Sequence, residues 1–291
     1  METAAAAVAA RPVRLGLLWA RLRRYPMTLL GFVIVGFFLF TAVFGQMIAP
    51  YRFTQQDLAG RLKPPSAQHI FGTDQFGRDI FSRVLTGSRD IFLVAGSGTL
   101  VAVVLGLSLG MAAGYWGGLV DEVAMRLVDV LLAIPPLLLA MVILGTVGPS
   151  RLNIILVVGF LYIPSVSRLV RSVVLDLKTR QFIEAAMLRG ETSLYIMFRE
   201  MLPSILPPLA VETSMRFAYA IFLVASLGFL GLGVQPPSPD WGLMVSDARN
   251  YFMGAHWVLL FPAGTIAVLV VGVGFVSDGL RRMLLPGGVS H

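Results

Sequence analysis

Long stretches without a single charged residue restrict the fold of this chain more than any other feature. Residues 27–49, 91–120 and 250–277 contain no Asp, Glu, Lys or Arg. A helix needs about 20 mostly apolar residues to cross the hydrocarbon core of a bilayer. Only 13% of the 291 residues are charged, whereas an average soluble domain has roughly 25%. The chain is therefore predicted to be an integral membrane protein rather than a soluble enzyme.

The sequence predicts an all-α fold with six transmembrane helices. The predicted spans lie at about 27–48, 91–114, 125–146, 152–171, 208–232 and 256–277. The first span is too long for the apolar part of a signal peptide and lacks a small-residue cleavage site, so it is interpreted as a retained anchor. The predicted division of the chain is a tail at 1–26, the first helix at 27–48, a loop at 49–90, a core domain at 91–278 and a tail at 279–291.

The distribution of Lys and Arg predicts that both termini lie in the cytoplasm. Most of the 23 basic residues fall before the first span or in the segments that would then lie inside, as the positive-inside rule requires. The formal net charge of +7 does not indicate nucleic-acid binding, because no basic stripe is interleaved with aromatic residues. The chain contains no Cys, which excludes thiolate metal sites and thiol catalysis.

The first outer loop, residues 49–90, is predicted to end in a short amphipathic helix at the membrane surface. Phe76, Ile80 and Val84 are four residues apart, and Thr73 or Asp74 precedes them as a candidate N-cap. Such a helix serves either as a simple connection or in gating or docking.

Small residues at spacings of four predict a helix-packing face in the second span. Gly106, Gly110 and Gly114 follow this spacing, which lets two helices approach closely in lipid. Gly106 to Gly110 also match the G-x-S-x-G pattern of serine hydrolases around Ser108. That nucleophile needs a strand, a turn and a helix, so an intramembrane hydrolase remains only an alternative.

Two charge pairs are predicted near the membrane interfaces. Asp129 follows Arg126 by three residues and Arg216 follows Glu212 by four, so each pair can meet on one helix face. No charge is expected at the middle of a span. This pattern argues against a proton- or sodium-coupled carrier and suggests an energy source outside the chain.

Prolines within the spans predict kinks around a pathway. Pro135 and Pro136 lie in the third span and Pro164 lies in the fourth, where each removes a helical hydrogen bond. The third to fifth spans are therefore predicted to line the substrate route.

The long inner loop, about 171–207, is predicted to form a projecting pair of short helices. Residues 182–189 and 191–201 would be helical, with a break at Gly190 and an end at Pro203. This shape suits insertion into a groove of a partner, although an ordinary connecting loop also fits the spacing.

The outer loop from 233 to 250 is predicted to present an acidic and aromatic face. Asp240, Trp241 and Asp247 would form it. The face would meet a substrate-delivering protein, or the loop is only a rigid turn that returns the chain to the sixth span.

Several motifs in order resemble one family of transporters. Glu184, Ala185, Ala186 and Gly190, followed by Leu202-Pro203, resemble the EAA loop of bacterial ABC importer permeases. Residues 71–79, 114–118, 227–237 and 240–242 are similar to the second permease subunit of dipeptide, oligopeptide and nickel importers. The resemblance covers about residues 25–286. It departs from the family pattern at Glu200, where an apolar residue is usual.

The resemblance implies a type I ABC importer permease (MetI-like) fold with a cytoplasmic EAA coupling loop in a bacterial inner membrane. The implied partners are a homologous permease in a heterodimer, two cytoplasmic ATP-binding subunits and an extracytoplasmic binding protein. ATP and Mg²⁺ would bind in those subunits, because this chain has no phosphate-binding P-loop. Glu184 would make a polar contact with the ATPase, Ala185 and Ala186 would pack closely, and Gly190 would form the turn.

The implied function is a transporter subunit with no catalytic residue, metal or cofactor of its own. Peptides are the expected substrate, and nickel, glutathione, opines and sugars remain open within the family. The alternative from another class is a stand-alone channel or secondary carrier.

Overall fold

The computed structural model describes residues 25–285, and over this range the chain is built from helices. In chain order they are α1 (Pro26–Ile48), α2 (Ile80–Trp116), α3 (Gly118–Ala133), α4 (Pro136–Val147), α5 (Arg151–Lys178), α6 (Gln181–Leu188), α7 (Ser193–Phe229), α8 (Trp241–Ala248) and α9 (Trp257–Leu284). Five of them, α1, α2, α5, α7 and α9, are long and apolar enough to cross a bilayer, and the bent pair α3 and α4 makes a sixth crossing if it is counted as one span.

The spanning helices form a bundle with two distinct ends. We call the end that carries residues 49–79 the upper end, and the end that carries residues 179–192 the lower end. The described chain begins and finishes at the lower end, where the Arg282 guanidinium lies 5.8 Å from the ring centre of Tyr25. Helix α1 packs against α9 along this side, and a Cβ at Gly31 would lie 2.7 Å from the Cβ of Phe275.

Helices α2 and α5 run side by side in the same direction and are joined by the small-residue face. A Cβ added at Gly106 would lie 2.7 Å from the Cβ of Val166, and one at Gly110 would lie 2.5 Å from the carbonyl oxygen of Ser167. At Gly114 the added atom would lie 2.8 Å from Val174. The two backbones therefore meet at a distance that only glycine permits.

Ser108 lies on α2 between two of these glycines and is exposed. Its hydroxyl donates a hydrogen bond of 2.9 Å to the carbonyl oxygen of Val104 in the same helix. The strand and turn that a hydrolase nucleophile requires are not found here, since α2 is a continuous helix. The G-x-S-x-G match is therefore a packing motif.

The prediction of a separate surface helix before the second span is wrong. Helix α2 is continuous over 37 residues from Ile80, and its N-cap is Asp79, whose carboxylate accepts from the N–H of Ser82 at 2.8 Å. Ile80 and Val84 are buried rather than laid on a membrane surface. The apparent amphipathic spacing arose because polar residues of α2 are also buried here, against residues 49–79 and α8.

Residues 49–79 fold over the upper end around one carboxylate. Asp74 accepts hydrogen bonds from the backbone N–H groups of Phe76 and Arg78 and from the side chains of Arg78 and Arg83. Four donors to one buried carboxylate leave it fully satisfied. The segment is thereby tied both to itself and to the first turns of α2.

Prolines act differently from the prediction in two places. At Pro135 and Pro136 the chain breaks into α3 and α4, which meet at 91°, so the third span is interrupted rather than kinked. Pro203 does not end a helix, because the chain stays helical from Ser193 to Phe229. A wider π-helical stretch, Ile196–Met201, ends two residues before Pro203, and it changes the hydrogen-bond register ahead of the proline, which has no N–H to donate.

One of the two expected charge pairs forms, Glu212 with Arg216 at 2.7 Å, and the other does not. Asp129 on α3 pairs with Arg168 on α5 at 2.5 Å, while Arg126 lies 3.6 Å from Glu122. A partner on a neighbouring helix therefore replaces the one three residues away on α3.

The close approach of α2 and α5 gives a direct test of the fold. We expect Gly110→Ala to lower the free energy of unfolding by about 1–3 kcal/mol, because the added methyl group must push the helices apart. Gly36→Ala on α1, where nothing lies within 4 Å of the added carbon, should be neutral or slightly stabilising. Thermal unfolding of both variants in detergent measures the difference, and equal melting temperatures would contradict the packing described here.

Candidate functional site

The segment between α5 and α7 projects from the lower end as a short helix and a turn. Ile183 and Ala186 of α6 are buried against Ile196 and Met201 of the π-helical stretch. Glu184 and Ala185 lie on the opposite, exposed face. Of the two alanines expected to pack against a partner, only Ala185 faces outward, whereas Ala186 belongs to the interior of this chain.

Gly190 makes the turn that reverses the chain. It has φ +76°, its N–H donates to the carbonyl oxygen of Met187, and the N–H of Glu191 donates to that of Ala186. This is the hydrogen-bonding pattern with which a left-handed glycine closes a helix. Residues with a Cβ are strained in this conformation by about 1–2 kcal/mol.

Glu200, the departure from the family pattern, has a partner within the chain. Arg189 lies 3.4 Å from Glu200 and 3.5 Å from Glu191. The Arg189 side chain therefore links the end of α6 to the π-helical stretch. The carboxylate at position 200 thus has a partner across the turn, in an exposed pair that contributes at most about 1 kcal/mol.

Large apolar side chains are exposed on this projection. Leu188 is 89% exposed and sits directly before the turn. The other members of the group are Phe182, Leu194 and Phe198. We call these four residues the lower apolar face. The predicted coupling residues are Glu184, Ala185, Ala186, Gly190, Leu202 and Pro203. None of the four exposed apolar residues is among them, although Leu188 stands two residues before the turn glycine.

The remaining residues of the motif continue into α7. Leu202 is half-buried and Pro203 is exposed at the start of its long regular part. They lie beside the π-helical stretch and so adjoin the lower apolar face. Large apolar side chains exposed on a projecting segment are typical of a protein docking surface.

At the upper end, the residues predicted to form an acidic and aromatic face are mostly inside. Asp240 is 4% exposed and Trp241 is 1% exposed. The Trp241 indole Nε1 donates to the carbonyl oxygen of Val84 at 3.1 Å, and Asp240 caps α8 by accepting from the N–H of Leu243 at 2.8 Å. The predicted surface role of these two residues is therefore wrong, because a close approach of α2, α7 and α8 encloses them. Asp247 is half-buried.

Burial raises the pKa of Asp240 to about 6, because the charged carboxylate loses its water. The backbone N–H groups of Leu243 and Gly242 act in the opposite direction. The carboxyl lies against Gly228, where an added Cβ would come within 2.3 Å of Asp240 Oδ1. The missing side chain at Gly228 leaves room for this cap.

Two family descriptions match the chain. Residues 102–287 match the binding-protein-dependent transport system inner membrane component. Residues 14–65 match the N-terminal transmembrane domain of oligopeptide transport permease C. Together they include the first span, the small-residue face and the whole of the lower projection.

Individual relatives agree over most of their length. The dipeptide transport system permease protein DppC of Alkalihalophilus pseudofirmus is 38% identical over 266 residues, which cover 91% of this chain and 88% of the relative. The probable D,D-dipeptide transport system permease protein DdpC of Escherichia coli is 38% identical over 93% of this chain and 90% of its own. The glutathione transport system permease protein GsiD of Pectobacterium atrosepticum is 38% identical, with 92% and 89% covered.

A solved structure shares the fold. An inward-facing form of the MetNI methionine ABC transporter aligns with a TM-score of 0.53 and 18% identity, covering 69% of this chain and 96% of that one. The predicted helical fold of the ABC importer permeases is confirmed.

The buried Asp240 predicts a specific pH dependence of stability. Its pKa is raised from 3.8 to about 6, so its contribution to stability is full below about pH 4 and is lost as pH rises through 6. Asp240→Asn keeps the accepting oxygen and stays neutral, so we expect it to be more stable than the native chain at pH 8, by about 3 kcal/mol at most. At pH 4 the two should be equal.

Thermal unfolding at both pH values measures this difference. Asp240→Ala serves as the second variant, since it loses the cap and should be less stable than Asp240→Asn at each pH. An Asn variant that melts below the native chain at pH 8 would contradict the assignment.

Proposed function

Because the chain belongs to the family of binding-protein-dependent transport system inner membrane components, and so is a permease subunit of an ATP-driven importer, we propose that it carries small peptides across the membrane. It is a multi-pass inner-membrane protein and not an enzyme. The names of most relatives support peptides as the substrate, and the glutathione relative is itself named for a peptide-like solute.

The lower apolar face is the observation that supports coupling to ATPases. Four large apolar side chains are exposed on and beside the turn that Gly190 makes, and Arg189 spans this turn in ion pairs with Glu191 and Glu200. We infer that one of two cytoplasmic ATP-binding subunits covers this face, with Glu184 at its polar edge. The second ATPase would dock on the equivalent turn of a homologous permease, which completes a heterodimer.

The proposed mechanism is mechanical. ATP with Mg²⁺ binds to the ATPases and closes their dimer, which moves α6 and the turn inward. Helix α7 continues from this turn through the bundle, so the motion reaches the upper end. Only a difference in contacts between the two states can drive the change. An extracytoplasmic binding protein would deliver the peptide at the upper end.

The orientation follows from the same proposal. Both ends of the described chain lie at the lower end, together with the projection. If the ATPases bind there, both termini are cytoplasmic, in agreement with the Lys and Arg distribution. The stand-alone carrier alternative would require no ATPase at this surface.

The direct test of the function is transport by the assembled importer. The chain is purified with its tagged partners from native membranes, reconstituted in liposomes with the binding protein, and assayed for uptake of labelled dialanine. We expect uptake that needs ATP. Uptake by this chain alone, without ATPase subunits, would support a self-sufficient carrier instead.

The lower apolar face predicts one decisive variant. Leu188→Asp places a charge where an ATPase is proposed to dock, so we expect at least tenfold less ATPase to co-purify and uptake to be lost. Leu58→Asp, an exposed leucine at the upper end, should leave the ATPase bound. Mass spectrometry of the co-purified subunits gives the ratio, and equal recovery with both variants would refute docking at this face.

A further inference from the structure

The Glu212–Arg216 pair, which was expected near a membrane interface, lies inside the membrane-spanning part of α7. Glu212 and Arg216 occupy the middle of the long regular stretch Leu202–Phe229, and Arg216 Nε lies 2.7 Å from Glu212 Oε1. Their side chains are only 14% and 19% exposed. The neighbouring Phe217 contacts Phe92 of α2 at 5.6 Å between ring centres. The pair is thus embedded in the bundle and not at its edge.

The Arg216 guanidinium has hydrogen-bonding capacity to spare. Although Nε is close to the Glu212 carboxylate, its N–H does not point at the oxygen, and this buried atom finds no acceptor among the described residues. A guanidinium has five N–H donors, and one carboxylate on one side cannot satisfy them. A buried charged donor without an acceptor lowers the stability of the folded chain, and binding of a further acceptor removes this penalty.

Two tyrosines frame this guanidinium. The ring of Tyr162 on α5 lies 5.8 Å from the Arg216 Cζ atom and that of Tyr219 lies 5.1 Å from it. Tyr162 is buried, whereas Tyr219 is 51% exposed. The cluster of Glu212, Arg216, Tyr162 and Tyr219, which we call the α7 polar cluster, is therefore closed on the α5 side and open on the other.

The open side cannot face lipid without a penalty. A charged residue at the centre of a lipid-facing helix is costly, and such residues almost always face a protein interior or a water-filled cavity. Helix α7 also continues without a break from the turn that is proposed to contact the ATPase. The open side of the cluster is thus the side of α7 that is expected to line a water-filled passage.

We propose that Arg216 is a carboxylate-binding group in the translocation pathway and that it takes the free C-terminal carboxylate of a passing peptide. The planar guanidinium matches a carboxylate in two parallel hydrogen bonds. Glu212 positions Arg216 and competes with the incoming carboxylate, so the peptide is held weakly and released. The two tyrosine rings limit the width of the site. This inference rests on the proposed peptide substrate.

The first arm of the test measures water access and local charge without using any substrate. The chain has no Cys, so Tyr219→Cys in the assembled importer provides a single thiol in this subunit, read by the mass of this chain. An anionic and a cationic methanethiosulfonate reagent are compared. We expect both to label the site, and Arg216→Met to reduce the anionic-to-cationic rate ratio at least threefold.

A matched control defines the background of this arm. Val33→Cys on α1 is comparably exposed but lies on a mostly apolar helix without a charged residue, so it should resist both reagents. If Tyr219→Cys resists them as well, the cluster does not line a passage. A rate ratio unaffected by Arg216→Met would equally overturn the proposal.

The second arm tests the ligand. Saturating dialanine is expected to slow the labelling of Tyr219→Cys at least threefold, whereas dialanine amide, which lacks the carboxylate, is not. The protection should vanish in Glu212→Gln/Arg216→Met, which removes both charges together and leaves none unpaired. It should persist in Asp129→Asn/Arg168→Met, which removes the ion pair between α3 and α5.

The outcomes separate this inference from the function it rests on. Equal protection by dialanine and its amide, or protection that survives Glu212→Gln/Arg216→Met, would overturn the carboxylate site even if the importer takes up dialanine. Absence of dialanine uptake would refute the peptide substrate, and the first arm would still decide whether the cluster lines a charged aqueous passage.

Discussion

The close approach of α2 and α5 is the contact on which the rest of the bundle depends. In lipid no hydrophobic force drives helices together, so packing and small residues must do so. Glycines on both helices supply the room, since a Cβ at Gly98 would lie 2.6 Å from Val158 and one at Gly159 would lie 2.6 Å from Val101. Helices α1 and α9 pack on one side of this parallel pair. Helix α7 packs against α5, and there Arg216 of α7 lies over the ring of Tyr162.

Much of this arrangement could be predicted from the sequence because the membrane simplifies the problem. Charge-free runs identify the spans, and glycines at spacings of four identify the packing face. The turn at Gly190 is also local, since it depends on a left-handed residue at the end of a helix. These features are properties of short stretches of chain and need no knowledge of neighbours.

The predictions that failed concern residues whose surroundings come from other segments of the chain. Asp240 and Trp241 look like surface residues in an outer loop, but Gly228 and Gly242 let three helices enclose them. Asp129 has a possible partner on its own helix and takes one on α5 instead. Pro203 has the sequence signature of a helix end, but the helix continues through it after a π-helical stretch. Burial and pairing between distant segments leave no periodic trace in a sequence.

The continuity of α7 has a geometric consequence. At about 1.5 Å per residue, 37 residues make a rod about 55 Å long, well beyond the roughly 30 Å of hydrocarbon that it crosses. Such a rod transmits a rotation of one of its ends to the other. A tilt of about 5° about either end sweeps the other through about 5 Å. Small rotations at the Ser193 end are therefore converted into displacements the size of a side chain near Phe229.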